Sequence, residues 1–250
     1  LGDVYKRQVL ASAASTLKRV TLELGGNDAG IVMDDVDVEA VAPQIFDGAF
    51  GNNGQICIAM KRVYAHESIY DKLVDQLAEL AKEAAVGNGL EQGTKLGPLQ
   101  NKMQFEKVKD YIEEGRADGT IVAGGEVPDG KGYFIPPTIV KDIDDESRLV
   151  KEEQFGPVLP VIKYDDIDDV IERANDSDYG LGGSVWSSDT ERAYEVAKKV
   201  DSGTIWVNKH ADVQPHIPFG GIKTSGIGAE LGEEGLAEFT ARKVINVAKA

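Results

Sequence analysis

Residues 20–33 read VTLELGGNDAGIVM, which is two short apolar runs, 20–24 and 29–33, separated by a turn at Gly25 and Gly26. Short runs that are rich in β-branched residues and bounded by turn residues predict strands. Further runs of this type follow along the chain, at 62–65, 120–123, 158–164, 183–186 and 203–208. This stretch and its repeats therefore predict a chain with at least seven strands.

Helical patterns separate these runs. Apolar residues recur at spacings of three and four over 69–84, where Ser68 can cap the helix and Gly87 can end it. Weaker patterns of the same period lie at 105–112, 167–174, 193–200 and 232–241, and an apolar strand candidate follows at 244–247. Strands that alternate with helices indicate an α/β fold with a mainly parallel sheet covered by helices.

The composition excludes several classes of protein. The 250 residues carry 27 basic and 43 acidic side chains, a net charge of −16 that would repel nucleic acid. No apolar run is long enough to span a bilayer, so no membrane partner is expected. The acidic surface is typical of a cytoplasmic protein, and a single cysteine, Cys57, excludes an intramolecular disulfide.

The first eight residues, LGDVYKRQ, resemble translated adapter read-through at the end of an assembled sequence and lack the features of a signal peptide. We expect residues 1–8 to be an artefact. The hypothesis that follows is that the chain is the tail of a longer protein.

Cys57 lies in FGNNGQICIA, after Gly51 and Gly54. A lone cysteine is most often a buried small hydrophobic residue. A catalytic cysteine, by contrast, needs its sulfur in a cleft and its N–H free for a developing oxyanion, which a glycine-rich turn favours. Both interpretations stay open on this segment alone.

Glu23 is an acidic residue near the end of an apolar run, directly before Gly25 and Gly26. A carboxylate there is costly unless it is paired or opens into a site, and open α/β sheets bind ligands at the carboxyl ends of strands. The alternative is a carboxylate that is satisfied by the amides of the following turn.

Other candidate motifs are weaker. The pair of carboxylates in KEEQFGPVLP, residues 151–160, is typical of a solvated face, and the glycines of residues 218–232 do not match a dinucleotide fingerprint. The three histidines do not have metal-site spacing, so no metal is expected. His210 or His216 could serve a Cys-His hydrolase with Asn208, although surface loop histidines are the simpler interpretation.

Five motifs in order, VTLELGGN, GQIC, EEQFGPV, WVN and PFGG, resemble the aldehyde dehydrogenase superfamily from about Leu17 to the end of the chain. The resemblance implies an aldehyde dehydrogenase-like catalytic domain over 27–242. It also implies a remnant of the dinucleotide-binding domain over 9–26 and an oligomerisation strand over 243–250.

The resemblance also implies roles for individual residues. Cys57 would be the nucleophile that forms a thiohemiacetal and then a thioester, and Glu23 would be the general base for hydrolysis. NAD or NADP would be held by four residues, Leu24, Gly25, Glu153 and Phe155. The positions of Asn208, Gly220 and Gly221 match the frame of the site, and Glu230 matches a proton-relay carboxylate.

Three residues depart from common members of the superfamily: Asn27 in place of lysine, Gln154 in place of isoleucine, and Ala229 in place of arginine. These departures point to a sub-branch. Ile56, Ile58 and residues 209–218 are expected to line an apolar aldehyde pocket.

Three alternatives to an acid-forming enzyme remain at this point: a Cys-His thiol hydrolase, a non-catalytic fragment, and a member of the superfamily that transfers the thioester to coenzyme A. The presence of Glu23 favours hydrolysis. The 250 residues alone are expected to be inactive and to bind NAD(P) weakly, whereas the complete protein is expected to be a homo-oligomer, a dimer or tetramer.

Overall fold

The computed structural model describes residues 2–249, with side chains from residue 6 onward. Eleven strands are defined in this part of the chain: β1 (Leu22–Glu23), β2 (Asp28–Val32), β3 (Met60–His66), β4 (Thr120–Ala123), β5 (Thr138–Lys141), β6 (Val158–Tyr164), β7 (Tyr179–Gly180), β8 (Gly182–Trp186), β9 (Thr204–Val207), β10 (Ile222–Lys223) and β11 (Gly226–Ile227).

Eight α-helices accompany the strands in the same residues: α1 (Gly2–Ala14), α2 (Val38–Phe50), α3 (Glu67–Glu83), α4 (Lys102–Asp118), α5 (Arg148–Lys151), α6 (Ile167–Asn175), α7 (Thr190–Ala197) and α8 (Gly232–Glu238). A 3-10 turn over Gly51–Gly54 follows α2 directly. None of the helices in the described range is long and apolar enough to cross a membrane.

Seven strands form the central sheet, in the order β4-β5-β6-β3-β2-β8-β9. Every neighbouring pair is parallel except β4 and β5, which are antiparallel at one edge. The predicted α/β class and mainly parallel sheet are confirmed. Six of the seven predicted strands lie in this sheet, within two residues of their expected ends.

Helices cover both faces of the sheet, because side chains of successive strand residues point to opposite faces. Val32 on β2 packs with α2 and α3 on one face, where Phe50 and Leu77 are buried. Its neighbour Ile31 packs on the other face with α4, α6 and α7, where Tyr111 is buried. This alternation gives the chain two apolar cores.

The structure corrects several sequence expectations. The run 20–24 forms only β1, which pairs with β11 in a small antiparallel ribbon outside the central sheet. Residues 244–247 form no strand, and Val244 and Val247 are 80% exposed. The N-cap of α3 is His66, whose ring accepts a hydrogen bond from the Ser68 N–H, and not Ser68 itself. The sequence analysis also missed α2, β5 and α5.

Residues 1–8 were expected to be an artefact, and all but Leu1, which is outside the described residues, belong to α1. This helix continues to Ala14, so the backbone shows no boundary at residue 8. The suggested domain limits stay predictions.

Candidate functional site

The candidate site lies at the amino ends of the central parallel strands. Cys57 directly precedes β3, the Glu153 segment precedes β6, and Gly25 and Gly26 precede β2. Because β2, β3 and β6 are parallel neighbours, their leading residues meet at one edge of the sheet. The expectation of a site at strand carboxyl ends was therefore wrong, since β1, which carries Glu23, does not belong to this sheet.

The Cys57 loop, residues 51–59, is shaped by left-handed backbone. Asn52 and Asn53 have φ of 49° and 59°, and Gly54 has φ of 72°. A Cβ atom at Gly54 would overlap the carbonyl oxygen of Gly156, so only glycine fits between the two loops. The GNNG motif therefore turns the chain sharply from α2 towards Cys57.

Buried side chains fix the backbone of this loop through hydrogen bonds to its carbonyls. Lys61 is buried, and its ammonium donates to the carbonyls of Ile56 at 2.6 Å and Ala59 at 3.3 Å. The His210 ring contacts the Ile58 carbonyl through Nε2 at 2.7 Å. The Cys57 backbone is thus fixed on both sides by groups that come from β3 and from the loop after β9.

The Cys57 thiol is half-buried, beside Ile58, Leu181 and Trp206. Burial raises its pKa, and the Ile58 N–H and the Lys61 ammonium offset part of this effect. The negative charges of Asp28 and Glu153 add to the rise, so the net effect is a thiol pKa above its ordinary value. The cysteine is not fully buried, and its role as a nucleophile stays a prediction.

Glu23 is half-buried, and its two carboxylate oxygens accept no hydrogen bond among the described residues. Burial raises its pKa to about 7; the nearby Gly221 amide opposes the rise, and the negative charge of Glu230 adds to it. The alternative in which turn amides satisfy the carboxylate does not hold. A carboxylate that titrates near neutral pH is suited to act as a general base.

The expected cofactor residues Leu24, Gly25 and Glu153 line one cleft of about 350 Å³, whose wall also includes Lys6 and Arg7 of α1, two of the residues that were expected to be an artefact. Glu153 Oε1 accepts a hydrogen bond from the Gly26 N–H at 3.1 Å, and a Cβ at Gly25 would overlap the same carboxylate. The ring centroid of Phe155, two residues after Glu153, lies 5.7 Å from Nζ of Lys61. Cys57 adjoins this region, because Gly26 packs against the Cys57 carbonyl, and Glu23 lies two residues before Gly25 in the chain.

Two of the residues that differ from common family members, Asn27 and Gln154, form hydrogen bonds that hold the backbone near the site. The Asn27 amide donates to the carbonyls of Val150 and Lys151 at the end of α5. The buried Gln154 amide donates to the carbonyls of Lys61 and Val158, and so attaches the segment before β6 to β3. Both amides help to hold Glu153 in place.

The expected frame residues lie in the segment that follows β9. Asn208 has φ of 54° and exchanges two hydrogen bonds with the backbone of Ser187, which ties the end of β9 to the end of β8. Gly220 packs beside Glu23, and the Glu230 backbone pairs with Phe219. Residues 209–218 and β9 line a groove of about 290 Å³, and Cys57 is not among its lining residues.

The structure places His210 in a buried position, with 1% of its side chain exposed, so the interpretation as a surface residue was wrong for this histidine. Its ring nitrogens contact the Ile58 carbonyl and the Ser184 hydroxyl, and burial lowers its pKa to about 4. His216 is exposed, as expected. The geometry therefore assigns neither histidine to Cys57 as a catalytic partner.

Two residues that matter at this site, Asp28 and Lys61, were missed as candidates, and His210 was considered only as the partner of Cys57 in a hydrolase. Asp28 is fully buried and accepts a hydrogen bond from the Gly182 N–H, while its other oxygen has no partner among the described residues. Burial raises the pKa of Asp28 and lowers that of Lys61. For Asp28, the sequence did contain a signal: a charged residue at the start of an apolar strand is rarely buried unless it has a specific partner.

A half-buried cysteine on a glycine-shaped loop at the amino end of a parallel strand is typical of the class of α/β proteins that carry out covalent chemistry on sulfur. The family model described as "Aldehyde dehydrogenase family" matches residues 3–245. The chain belongs to the aldehyde dehydrogenase family.

Individual relatives agree with this assignment. A protein named mitochondrial aldehyde dehydrogenase, from Leishmania tarentolae, is 45% identical over 243 residues, which is 96% of this chain and 49% of the relative. The NAD+ complex of aldehyde dehydrogenase from Bacillus cereus is 42% identical with a TM-score of 0.92, over 96% of this chain and 49% of that one. An NADP-dependent enzyme of E. coli is 32% identical with a TM-score of 0.91, over 95% and 50%. The chain spans about half the length of the relatives it matches.

Proposed function

We propose that the full-length protein carrying this chain oxidises an aldehyde to a carboxylic acid, with NAD or NADP as the hydride acceptor. The observation that carries the proposal is a half-buried Cys57 on a loop whose neighbouring carbonyls are held by Lys61 and His210. The Glu23 carboxylate, with a pKa raised to about 7, lies three residues before Gly26, which packs against the Cys57 carbonyl. Cysteine suits both halves of the reaction, because a thiolate attacks a carbonyl well and its thioester is activated towards water.

In the first half, the Cys57 thiolate attacks the aldehyde carbon and forms a thiohemiacetal. The Cys57 N–H faces the oxygen on which negative charge develops. Loss of a hydride from the same carbon then leaves a thioester on Cys57.

The cleft beside these residues fits the cofactor. The Glu153 carboxylate can accept hydrogen bonds from ribose hydroxyls, and the absence of a side chain at Gly25 leaves room for that carboxylate. Leu24 and Phe155 offer apolar surface for the nicotinamide ring. Bound there, NAD(P) supplies the hydride acceptor.

In the second half, Glu23 takes a proton from water as the water oxygen attacks the thioester carbon, and the Cys57 thiolate leaves with the release of the acid. A pKa of about 7 keeps part of Glu23 deprotonated at neutral pH. Glu230, whose charge acts on Glu23, is our candidate for the next proton acceptor. Glu23 favours this hydrolytic outcome over transfer to coenzyme A.

Two further assignments are part of the proposal. The exposed apolar residues of 244–247 support assembly into a homo-oligomer, and the net charge of −16 supports a cytoplasmic location. The substrate is a small-molecule aldehyde, and neither nucleic acid nor membrane is a partner.

The test is to follow the absorbance of reduced nicotinamide with a panel of aldehydes and either cofactor. Cys57→Ser should lower turnover by about a thousandfold or more, because nucleophile removal usually costs at least that much. Circular dichroism of the variant should match that of the wild type. A folded wild-type protein that reduces neither cofactor with any aldehyde would contradict the proposal, and turnover only with added coenzyme A would move it to the acyl-transfer branch.

A further inference from the structure

Lys61 is a buried lysine that contacts the Cys57 loop, and lysine is rarely buried in proteins. Its side chain is 2% exposed, yet its ammonium has three carbonyl acceptors, those of Gly54 at 3.5 Å, Ile56 at 2.6 Å and Ala59 at 3.3 Å. An ammonium has three N–H donors. Lys61 therefore uses each donor on the backbone of the Cys57 loop, before and after the cysteine.

The shortest of these bonds acts on the peptide unit that Cys57 shares with Ile56. In a trans peptide the carbonyl and the following N–H point in opposite directions, and the described residues contain no cis peptide. With the Ile56 carbonyl held on Lys61, the Cys57 N–H points away from the ammonium. That N–H donates to no backbone or side-chain acceptor in the part of the chain that the structure describes.

A charged donor on the carbonyl also polarises the peptide unit, because hydrogen bonds in a chain strengthen one another in a low-dielectric interior. The Cys57 N–H is consequently a stronger donor than an ordinary backbone amide. It is also held in one direction before any substrate arrives, which is the requirement for stabilising a developing oxyanion.

His210 fixes the next carbonyl of the same loop. The Ile58 carbonyl can only accept, so Nε2 of the His210 ring carries the proton and donates to it at 2.7 Å. Because burial keeps the ring neutral, Nδ1 accepts from the Ser184 hydroxyl at 3.1 Å, and the same hydroxyl oxygen accepts from the Trp186 N–H at 2.9 Å. The carbonyls on both sides of Cys57 are thus held by buried side chains.

The buried charge of Lys61 is compensated by Asp28 and Glu153, whose negative charges both act on it. Asp28 is fully buried and hydrogen-bonded only through one oxygen. Removing Lys61 alone would leave Asp28 without its cation, which is strongly destabilising. A test of Lys61 therefore has to treat the two charges together.

We propose that Lys61 is a positioning residue of the active site, which aims and polarises the Cys57 N–H through the Ile56 carbonyl so that it binds the oxyanion formed when Cys57 attacks a carbonyl group. The inference rests on the proposed function for its biological meaning. Its chemistry, however, concerns any carbonyl that Cys57 attacks.

Two reactions of the Cys57 thiol separate this role from a merely structural one. Acylation by p-nitrophenyl acetate forms a bond from sulfur to the carbonyl carbon through a tetrahedral oxyanion, and breaks the bond to p-nitrophenolate. Alkylation by iodoacetamide displaces iodide from a saturated carbon and forms no oxyanion. Both rates are proportional to the fraction of Cys57 that is deprotonated, so this fraction cancels when one rate is divided by the other at pH 7. The ratio of acylation rate to alkylation rate therefore reports on the oxyanion donor.

Three proteins are compared with the wild type, and Cys57→Ser supplies the background rate for each. Lys61→Met removes the ammonium, and Asp28→Asn with Lys61→Met removes both buried charges while the Asn oxygen can still accept from Gly182. The matched control is Glu79→Gln with Lys82→Met, which removes an exposed carboxylate–ammonium pair on α3.

We expect the ratio of acylation to alkylation to fall at least about tenfold in Lys61→Met and in the double variant, since loss of a whole oxyanion donor costs about a hundredfold or more. The exposed pair on α3 should leave the ratio unchanged. If Lys61→Met does not fold, the double variant alone decides.

A wild-type ratio in the double variant would overturn the proposal, because Lys61 would then act only as the counter-ion of Asp28. Equal losses in both reactions would overturn it as well, since they would show a general effect on the thiol. Neither reaction uses an aldehyde or NAD(P). Failure of the proposed function would therefore appear in the nicotinamide assay, and failure of the Lys61 inference in this ratio.

Discussion

At the scale of single residues, Glu23 combines partial burial, two oxygens without a hydrogen-bond partner among the described residues, and a neighbouring carboxylate, Glu230. Each of these features disfavours the charged form, and burial has the largest effect. They raise the pKa of Glu23 to about 7, so the residue changes protonation within the physiological range.

This pKa predicts the pH dependence of thioester hydrolysis. Only the deprotonated carboxylate accepts a proton, so the rate at which acetyl-Cys57 is hydrolysed should rise about tenfold per pH unit below 7 and level off above about 8. Glu23→Gln should lower this rate by about a hundredfold or more and flatten the profile.

Stopped-flow measurement of deacylation after a single acetylation by p-nitrophenyl acetate gives this rate directly. Glu234→Gln on α8 is the matched control, because its carboxylate is exposed. A wild-type profile without an inflection near pH 7 would remove Glu23 from the role of general base.

The sequence singles out Cys57 and Glu23 because each breaks a local pattern: one is the chain's single cysteine after a glycine turn, and the other is an acid in an apolar run. Asp28 and His210 contact partners that are distant in the chain, whereas Lys61 donates to carbonyls two to seven residues before it. The contacts of Asp28 and His210 depend on which strands are neighbours, and those of Lys61 depend on the left-handed turn of its loop, so no local pattern shows either.

At the scale of elements, the Cys57 loop and the segment before β6 meet at Gly54 and Gly156. The contact is between backbones, which explains why the loop approaches so closely. Because Glu153 and Phe155 precede Gly156, the same contact also fixes these two residues relative to the Cys57 loop.

We predict that Gly54→Ala destabilises the protein by about 3 kcal/mol, from a left-handed φ that costs about 1–2 kcal/mol and an overlap that adds a similar amount. Gly93→Ala is the matched control. Gly93 also has a positive φ, of 92°, but no atom lies within 4 Å of the position of its Cβ, so its cost should be about 1–2 kcal/mol.

Urea unfolding monitored by tryptophan fluorescence measures both free energies of unfolding. If Gly54→Ala and Gly93→Ala lower the free energy of unfolding equally, the overlap with Gly156 adds no cost beyond that of the positive φ.

The periodicity predicted most elements because the central strands and amphipathic helices have a clear apolar pattern. It missed α2, where Pro43 interrupts the helical pattern, and β5, a short run directly after a loop rich in glycine and proline. It misplaced β1, because an apolar run that pairs with a distant ribbon looks like a core strand. In each case tertiary packing, and not local preference, decides the structure.

At the scale of the whole molecule, the parallel order of β6, β3 and β2 gathers the site from three separate stretches of the chain. The sequence predicted the α/β class correctly. It did not predict the end of the sheet at which the site lies, because that depends on whether β1 belongs to the same sheet.

The exposed segment 244–247 predicts association between copies of the protein. Val244, Ile245 and Val247 are 80%, 77% and 80% exposed, which is costly for adjacent apolar side chains. Ile245→Asp should shift the protein towards monomer, with at least a tenfold weaker association constant, because a charge buried in an apolar contact costs more than about 1.4 kcal/mol.

Sedimentation velocity over a range of concentrations measures this shift. Leu90→Asp is the matched control, since Leu90 is 94% exposed and lies far along the chain from this segment. A wild-type protein that is already monomeric, or equal effects of the two substitutions, would contradict a role for 244–247 in assembly.

The buried charges of Asp28 and Lys61 also constrain how this site can change during evolution. A lineage that loses either charge first passes through a protein whose remaining buried ion keeps only part of its compensation, from Glu153 for Lys61 or from Arg62 for Asp28. Such an intermediate is less stable, so selection favours changing the two positions, one on β2 and the other on β3, together. We therefore expect relatives to carry both charges or neither more often than one charge alone.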